Sequence, residues 1–354
     1  MAAHLLEAGV DVRLLLTDKW LVEGEAPPGY PFPRERFTVL PLLNRRFEIV
    51  LPRPRLVDAA VRDADVIHVT PYMSPLVPPV IAAARRHRKP WVASPVGLLP
   101  LRGHSVRLKE LFQTVWGNRT LREASRLIAV TQAEVAVLAP YAASPDRVVV
   151  IPNAIRERPP GPVPPPHPDA RPSLLFIGGF HATKGADLLV EAFARLSRTT
   201  LAGHVLVLAG DARRERIEAL AGKLGLRDRV RFTGWLMGAA KEQEMAHASF
   251  VVIPSVLDAM TIVVLEAAAA RKPVLMTTAC GFPDLGTYGG GHLVEPSVEG
   301  LVRGLQWMIE HRERWPEMSR GMKALAEKYS WASMTQRYLD LFRGVADEAQ
   351  SLHE

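Results

Sequence analysis

From residue 173 onward, short apolar runs alternate with stretches of helical period. Runs over 174–177, 205–208, 230–233, 250–253 and 274–276 predict strands. Between them, 186–196, 215–224, 242–248 and 262–270 predict helices. Gly178-Gly179, Gly210 and Gly234 follow the first three strands and stop them. Continuous apolar runs, unlike alternating ones, belong to parallel sheets covered on both faces. This half therefore predicts an α/β, doubly wound domain, and in such sheets ligands bind beyond the carboxyl ends of the strands. The glycines and polar residues after each strand become the candidate site.

The first half has the same character, with strands expected over 12–16, 66–69, 91–93, 127–130 and 148–151. The chain opens in a helix over 2–7 closed by Gly9, where a doubly wound domain ordinarily begins with a strand and a loop. A first strand and its loop are accordingly expected to lie upstream of residue 1. Eight prolines from Pro159 to Pro172 fix φ and remove backbone donors, so 156–172 predicts a stiff linker between two domains, 1–155 and 173–330.

Composition narrows the class. A chain of 354 residues that is 48% hydrophobic is globular and long enough for two ordinary cores. The single Cys280 excludes a disulfide scaffold or a thiolate zinc site and fits a reducing cytosol. No apolar run approaches the ~18–20 residues of a membrane span, and the start has no signal-peptide pattern, so a cytoplasmic protein is expected. The net charge is +7, and the first 155 residues hold nearly all of it, with 20 Lys+Arg against 14 Asp+Glu. A one-sided basic domain suits an anionic partner such as a membrane surface, although a solvated basic surface has the same composition. No nucleic-acid-binding signature accompanies the charge, so nucleic acid is not an expected partner.

Two constellations carry chemistry. Lys184-Gly185 follows a strand and a glycine turn and immediately precedes a helix. A cation and open amides at a helix N-terminus suit phosphate, whereas the bland alternative is a surface lysine. Asp258 falls in the loop after the strand at 250–253, and Glu266 lies eight residues on, in an apolar helix. Burying that carboxylate is costly unless hydroxyl groups, such as those of a ribose or sugar, bond to it; an exposed helix glutamate is the alternative. The chain has no GxxxxGK[ST] or GxGxxG, no HExxH and no G-x-S-x-G. Asp63-Ala64-Asp65 precedes a strand and is expected to be a solvated turn.

Four stretches in order, 176–189 around Lys184-Gly185, Leu208-Ala-Gly-Asp211, Val230-Arg-Phe-Thr-Gly234, and Pro254 through Asp258 to Glu266-Ala267, form a recognisable set. With landmarks at Asp65–Val69 and Val150–Asn153, the chain resembles the retaining glycosyltransferases of family 4. That resemblance implies the GT-B fold, two Rossmann-like domains facing a central cleft. It also implies a C-terminal helix over 331–354 that crosses back to the first domain. A nucleotide-sugar donor would bind mainly to the second domain, with a glycan or lipid-linked acceptor on the first. By motif, Lys184 would contact the diphosphate, Glu266 the ribose hydroxyls and Asp258 the donor sugar. Gly178, Gly179, Gly210 and Asp211 would line the donor edge, and Ala259-Met260-Thr261 would offer backbone amides to sugar and phosphate. The family transfers with retention and without a metal or other cofactor, a donor phosphate oxygen taking the acceptor proton.

The chain departs from that pattern in several places. Gly178-Gly179 stands where the family usually has Gly-Arg, Asp258 replaces the first glutamate, and Ala259-Met260-Thr261 replaces Gly-Phe-Gly. The first-domain loop that often carries a histidine has Val96, and Arg213 or Arg214 is the candidate to replace the missing arginine. Around 98–115 apolar residues mix with Arg102, Arg107 and Lys109, which suits docking on an anionic membrane. A transferase is the main expectation. A GT-B-like binder without catalysis, or a nucleotide-sugar epimerase, remains the alternative.

Overall fold

The computed structural model describes residues 1–17, 36–40, 42–44, 49–50, 53–101, 106–155, 171–196, 199–201 and 203–351. Most of the expected proline linker, 156–170, lies outside the described residues. The chain divides into two compact units, Met1–Pro152 with Met334–Glu354, and Asn153–Ser333.

In the first unit, β1 (Leu14–Thr17) pairs in parallel with β2 (Phe37–Leu40), and β3 (Leu42–Asn44) pairs antiparallel with β4 (Ile49–Val50). The main sheet is β5 (Ile67–Val69), β6 (Trp91–Ala93), β7 (Arg126–Ala129) and β8 (Val148–Val150), parallel and in that spatial order. The expected strands at 12–16, 66–69, 127–130 and 148–151 are present, displaced by one or two residues at their ends. Strands β2 to β4 were not foreseen, because charged and proline residues interrupt their short apolar runs. Ile81, Trp91, Leu121 and Leu127 fill the core under this sheet, and the Trp91 indole donates to the Thr120 carbonyl at 2.9 Å.

The helix Trp331–Ser351 enters this unit from Met334 onward. Its Tyr338 and Phe342 rings stand 6.2 and 5.7 Å from the His68 ring, and its Glu348 pairs bidentately with Arg126 on β7. Burial holds the His68 imidazole down at about 4, so at neutral pH it sits uncharged against these rings, its Nε2 2.7 Å from Ser94 Oγ.

The second unit is built on one six-stranded sheet: β9 (Ser173–Ile177), β10 (Val205–Ala209), β11 (Val230–Phe232), β12 (Ala248–Ile253), β13 (Val274–Thr277) and β14 (Gly291–Val294). All its pairings are parallel and the spatial order is β11-β10-β9-β12-β13-β14. The order reverses between β9 and β12, the switch point beyond whose strand ends ligands bind in sheets of this kind. Phe250 of β12 and, on helices packed against the sheet, Phe193 and Leu305 are fully buried, each burial stabilising by about 2–3 kcal/mol.

Three elements here differ from expectation. The helix expected over 242–248 runs from Gly238 to His247, since Ala239 and Ala240 extend it backward despite the glycine. Strand β12 begins at Ala248, where a register shift between Ala248 and Phe250 lets Ala248 pair with Ser173. Strand β14 was missed because Gly291 and His292 leave only two apolar residues in it. The glycine there is a packing requirement, as a Cβ at Gly291 would lie 1.9 Å from the Val274 carbonyl oxygen on β13.

Candidate functional site at the switch point of the second sheet

Backbone contacts join the loops at this switch point. After β9, the Gly178 amide donates to the Ala209 carbonyl at 2.9 Å, and a Cβ on Gly210 would stand 2.0 Å from the Gly178 oxygen. The loops after β9 and β10 therefore touch main chain to main chain, which only glycine at 210 allows. Gly185 caps the helix Ala186–Arg195 with φ +68°, and its Cβ position lies 2.1 Å from the Pro254 oxygen at the end of β12. The turn of Ala182–Lys184 is thus pressed against the loop after β12, where the Val256 amide donates to the Thr183 carbonyl at 2.9 Å.

That close approach brings Lys184 and Asp258, 74 positions apart, into an ion pair with Nζ 2.6 Å from Oδ2. Asp258 is largely buried, and its amide donates to Ala279 in the loop after β13 at 3.2 Å. A left-handed Gly281 brings the same loop up to the Ala259 carbonyl. Beneath it, the Thr277 hydroxyl donates to the Ser255 carbonyl, and burial pushes the neighbouring Cys280 thiol up. Met260 and Thr261 are buried, and the Asn153 side-chain amide donates to the Met260 carbonyl at 3.4 Å. Thr261 heads the helix Ile262–Ala269, and on that helix Glu266 receives a second lysine, Lys241 from the helix Gly238–His247, at 2.6 Å.

The arrangement places Lys184, Asp258, Gly178, Gly179, Gly210 and the 259–261 turn around one sheet edge. Asp211 is exposed, its carbonyl accepting from the Arg214 amide. Glu266 engages its own lysine rather than Lys184. Arg214 is committed to Glu218 at 2.7 Å and lies over the Phe232 ring, while Arg213 heads the helix Arg214–Lys223 with φ +62°. Instead, the His181 ring covers Gly179, its Nε2 3.2 Å from where a Cβ on that residue would stand.

Sequence reasoning missed Lys241 and gave Asn153, which it named only as part of a landmark stretch, no partner. The helix expected over 242–248 left Lys241 outside it, and no local pattern links either residue to a partner more than 20 positions away.

In the first unit, the loop after β6 is held by a buried carboxylate. Glu134 accepts from the Gly97 amide at 2.8 Å and the Val130 amide at 2.7 Å. Val96 beside it has φ +53°, a costly conformation for a β-branched residue that its surroundings must hold. Among the described residues, no three His, Cys, Asp or Glu side chains cluster to hold a metal ion.

Two Rossmann-like units of parallel sheet, the second with its site at a switch point, define a protein of the GT-B fold. A solved structure of the same fold, Anabaena HepE in complex with UDP and glucose, matches with a TM-score of 0.71 at 19% identity, over 94% of this chain and 100% of that one. Residues 162–328 match the family model described as Glycosyl transferases group 1, and residues 1–158 match that of Glycosyltransferase Family 4. The chain belongs to the family 4 glycosyltransferases. It is 29% identical to the alpha-D-kanosaminyltransferase of Streptomyces kanamyceticus over 50% of this chain and 47% of that one. It is also 29% identical to the lipopolysaccharide glucosyltransferase WaaG of Escherichia coli, over 49% and 47%. The chain spans about half the length of the curated relatives it matches.

Proposed function

We propose that the protein is a retaining, metal-independent glycosyltransferase that moves a sugar from a nucleotide-sugar donor to a cell-envelope glycan or lipid-linked acceptor. The observation that carries this proposal is the pairing of two lysines with two carboxylates in the second unit, Lys184 with Asp258 and Lys241 with Glu266. A departing diphosphate needs positive charge and backbone donors more than it needs a protein nucleophile. Lys184 and the amide end of the helix Ala186–Arg195 supply both. Asp258 faces the donor sugar from beside that lysine, and Glu266 accepts from the ribose hydroxyls. Relatives described as lipopolysaccharide glycosyltransferases, and HepE with UDP-glucose, favour a hexose carried on a nucleoside diphosphate.

A thermal-shift panel of UDP-, GDP-, ADP- and dTDP-sugars tests it, because a ligand that binds only the native state raises the melting temperature. One donor class is expected to raise it, and Glu266→Ala to abolish the shift. No shift with any donor would overturn the donor site. Binding without release of nucleotide, with or without acceptor, would instead make the protein a binder, and a free epimerised donor would make it an epimerase.

For the acceptor side, we propose peripheral docking on an anionic membrane. Leu108, Leu111 and Val115 share one face of the helix Val106–Phe112 and the π-turn Gln113–Gly117, and all three are exposed. Exposed Arg107 and Arg119 flank them. Among the described residues no helix is long and apolar enough to cross a membrane. The protein should co-sediment with phosphatidylserine vesicles at low salt, and a Leu108→Glu, Leu111→Glu double variant should stay in the supernatant. Equal pelleting of the two proteins would remove this surface from the account.

A further inference from the structure

No sequence motif accounts for Lys241. It rises from the first turn of the helix Gly238–His247, which follows β11, and reaches Glu266 on the helix after β12. The strands that lead into these helices are separated in the sheet by β10 and β9, so the contact spans the sheet rather than following from local geometry. Both side chains are largely shielded, 29% and 20% exposed, and the ammonium sits 2.6 Å from Oε1 of the carboxylate.

We propose that Lys241 is a positioning residue for Glu266: by occupying Oε1 it fixes the carboxylate so that Oε2 accepts from the ribose hydroxyls of the donor, and it thereby sets selectivity for a ribonucleotide over its 2′-deoxy counterpart. This rests on the donor-binding role proposed above for Glu266. A glutamate has three side-chain torsions to order, and a free carboxylate in this apolar helix would lose that freedom on binding each donor. The ion pair orders it beforehand. Its neighbours three and four positions away along the helix, Ile262, Val263, Ala269 and Ala270, are all apolar, so the helix itself offers no polar group that could do the same.

The test compares UDP with dUDP, GDP with dGDP and ADP with dADP by isothermal titration on the whole chain, using the base that the wild-type protein binds. A hydrogen bond to a charged group contributes about 1.5–3 kcal/mol, so the wild type should prefer the ribonucleotide by about 10- to 100-fold. Lys241→Met should shrink that ratio to within about 3-fold, Lys241→Arg should restore part of it, and Glu266→Gln should shrink it to the same extent. A purely structural lysine would weaken both nucleotides alike and leave the ratio intact. An unchanged ratio in Lys241→Met beside a collapsed one in Glu266→Gln overturns the role of Lys241 and leaves the donor site standing. An unchanged ratio in Glu266→Gln, or no nucleotide binding by the wild type, overturns the role of Glu266 itself and this proposal with it.

Discussion

Gly185→Ala is expected to lower the stability of the second unit by about 2–5 kcal/mol and to abolish nucleotide binding together with it. Two independent costs add at this residue. Its φ of +68° carries about 1–2 kcal/mol for a residue with a Cβ. The added Cβ would also stand 2.1 Å from the Pro254 oxygen and 2.9 Å from its carbonyl carbon. Those are main-chain atoms at the end of a buried strand, so no side chain can swing aside, and overpacking of this kind costs about 1–3 kcal/mol more. Relief requires the helix Ala186–Arg195 and the loop after β12 to part, which separates Lys184 from Asp258. Urea denaturation checks the magnitude, with Gly225→Ala as the control. Gly225 has φ +69° and nothing within 4 Å of its Cβ position, so it isolates the backbone cost. Equal losses at the two glycines would show that the contact between the turn and β12 does not carry stability.

Lys184→Ala should behave in the opposite way, leaving the fold nearly untouched while lowering transfer by about 10²- to 10³-fold. Its ion pair with Asp258 is more than a third exposed on the lysine side, and such pairs contribute at most about 1 kcal/mol to stability. On the donor role proposed above, its effect on chemistry would be larger, because it would act where charge develops on the departing diphosphate. The pairing predicts a further asymmetry. Asp258→Asn leaves the lysine free for the diphosphate, so nucleoside diphosphate affinity should hold or rise while transfer falls. Lys184→Ala should lose affinity as well, by about 10-fold or more. Titration of the nucleoside diphosphate into both variants checks this, and equal affinity in Lys184→Ala and wild type would remove the lysine from the phosphate site.

Much of the second unit was legible in the sequence. A parallel strand buried on both faces must be apolar throughout, and it must end in residues that let the chain turn into a helix. The runs ending at Gly178 and Gly210 show both properties. The same local logic placed Lys184-Gly185 at a helix start and Asp258 in a loop after a strand, because each statement concerns only a few neighbouring residues. It faltered where local signals are weak: at β14, whose glycine answers to a neighbouring strand, and at Gly238, where a helix begins on a residue that usually opposes one.

Short-range pattern was enough for most strands of the second unit, the turns that end them, and the charged residues beside those turns. These follow from side-chain periodicity and backbone freedom, which act over one or two turns of chain. Which side chains meet depends on the packing of the whole fold. Lys184 finds Asp258 74 positions away because β9 and β12 are neighbours in the sheet, and Lys241 finds Glu266 because one helix crosses the sheet to meet another. Strand order is set by the packing of whole elements around a shared core, so no window of sequence short enough to have a period contains it.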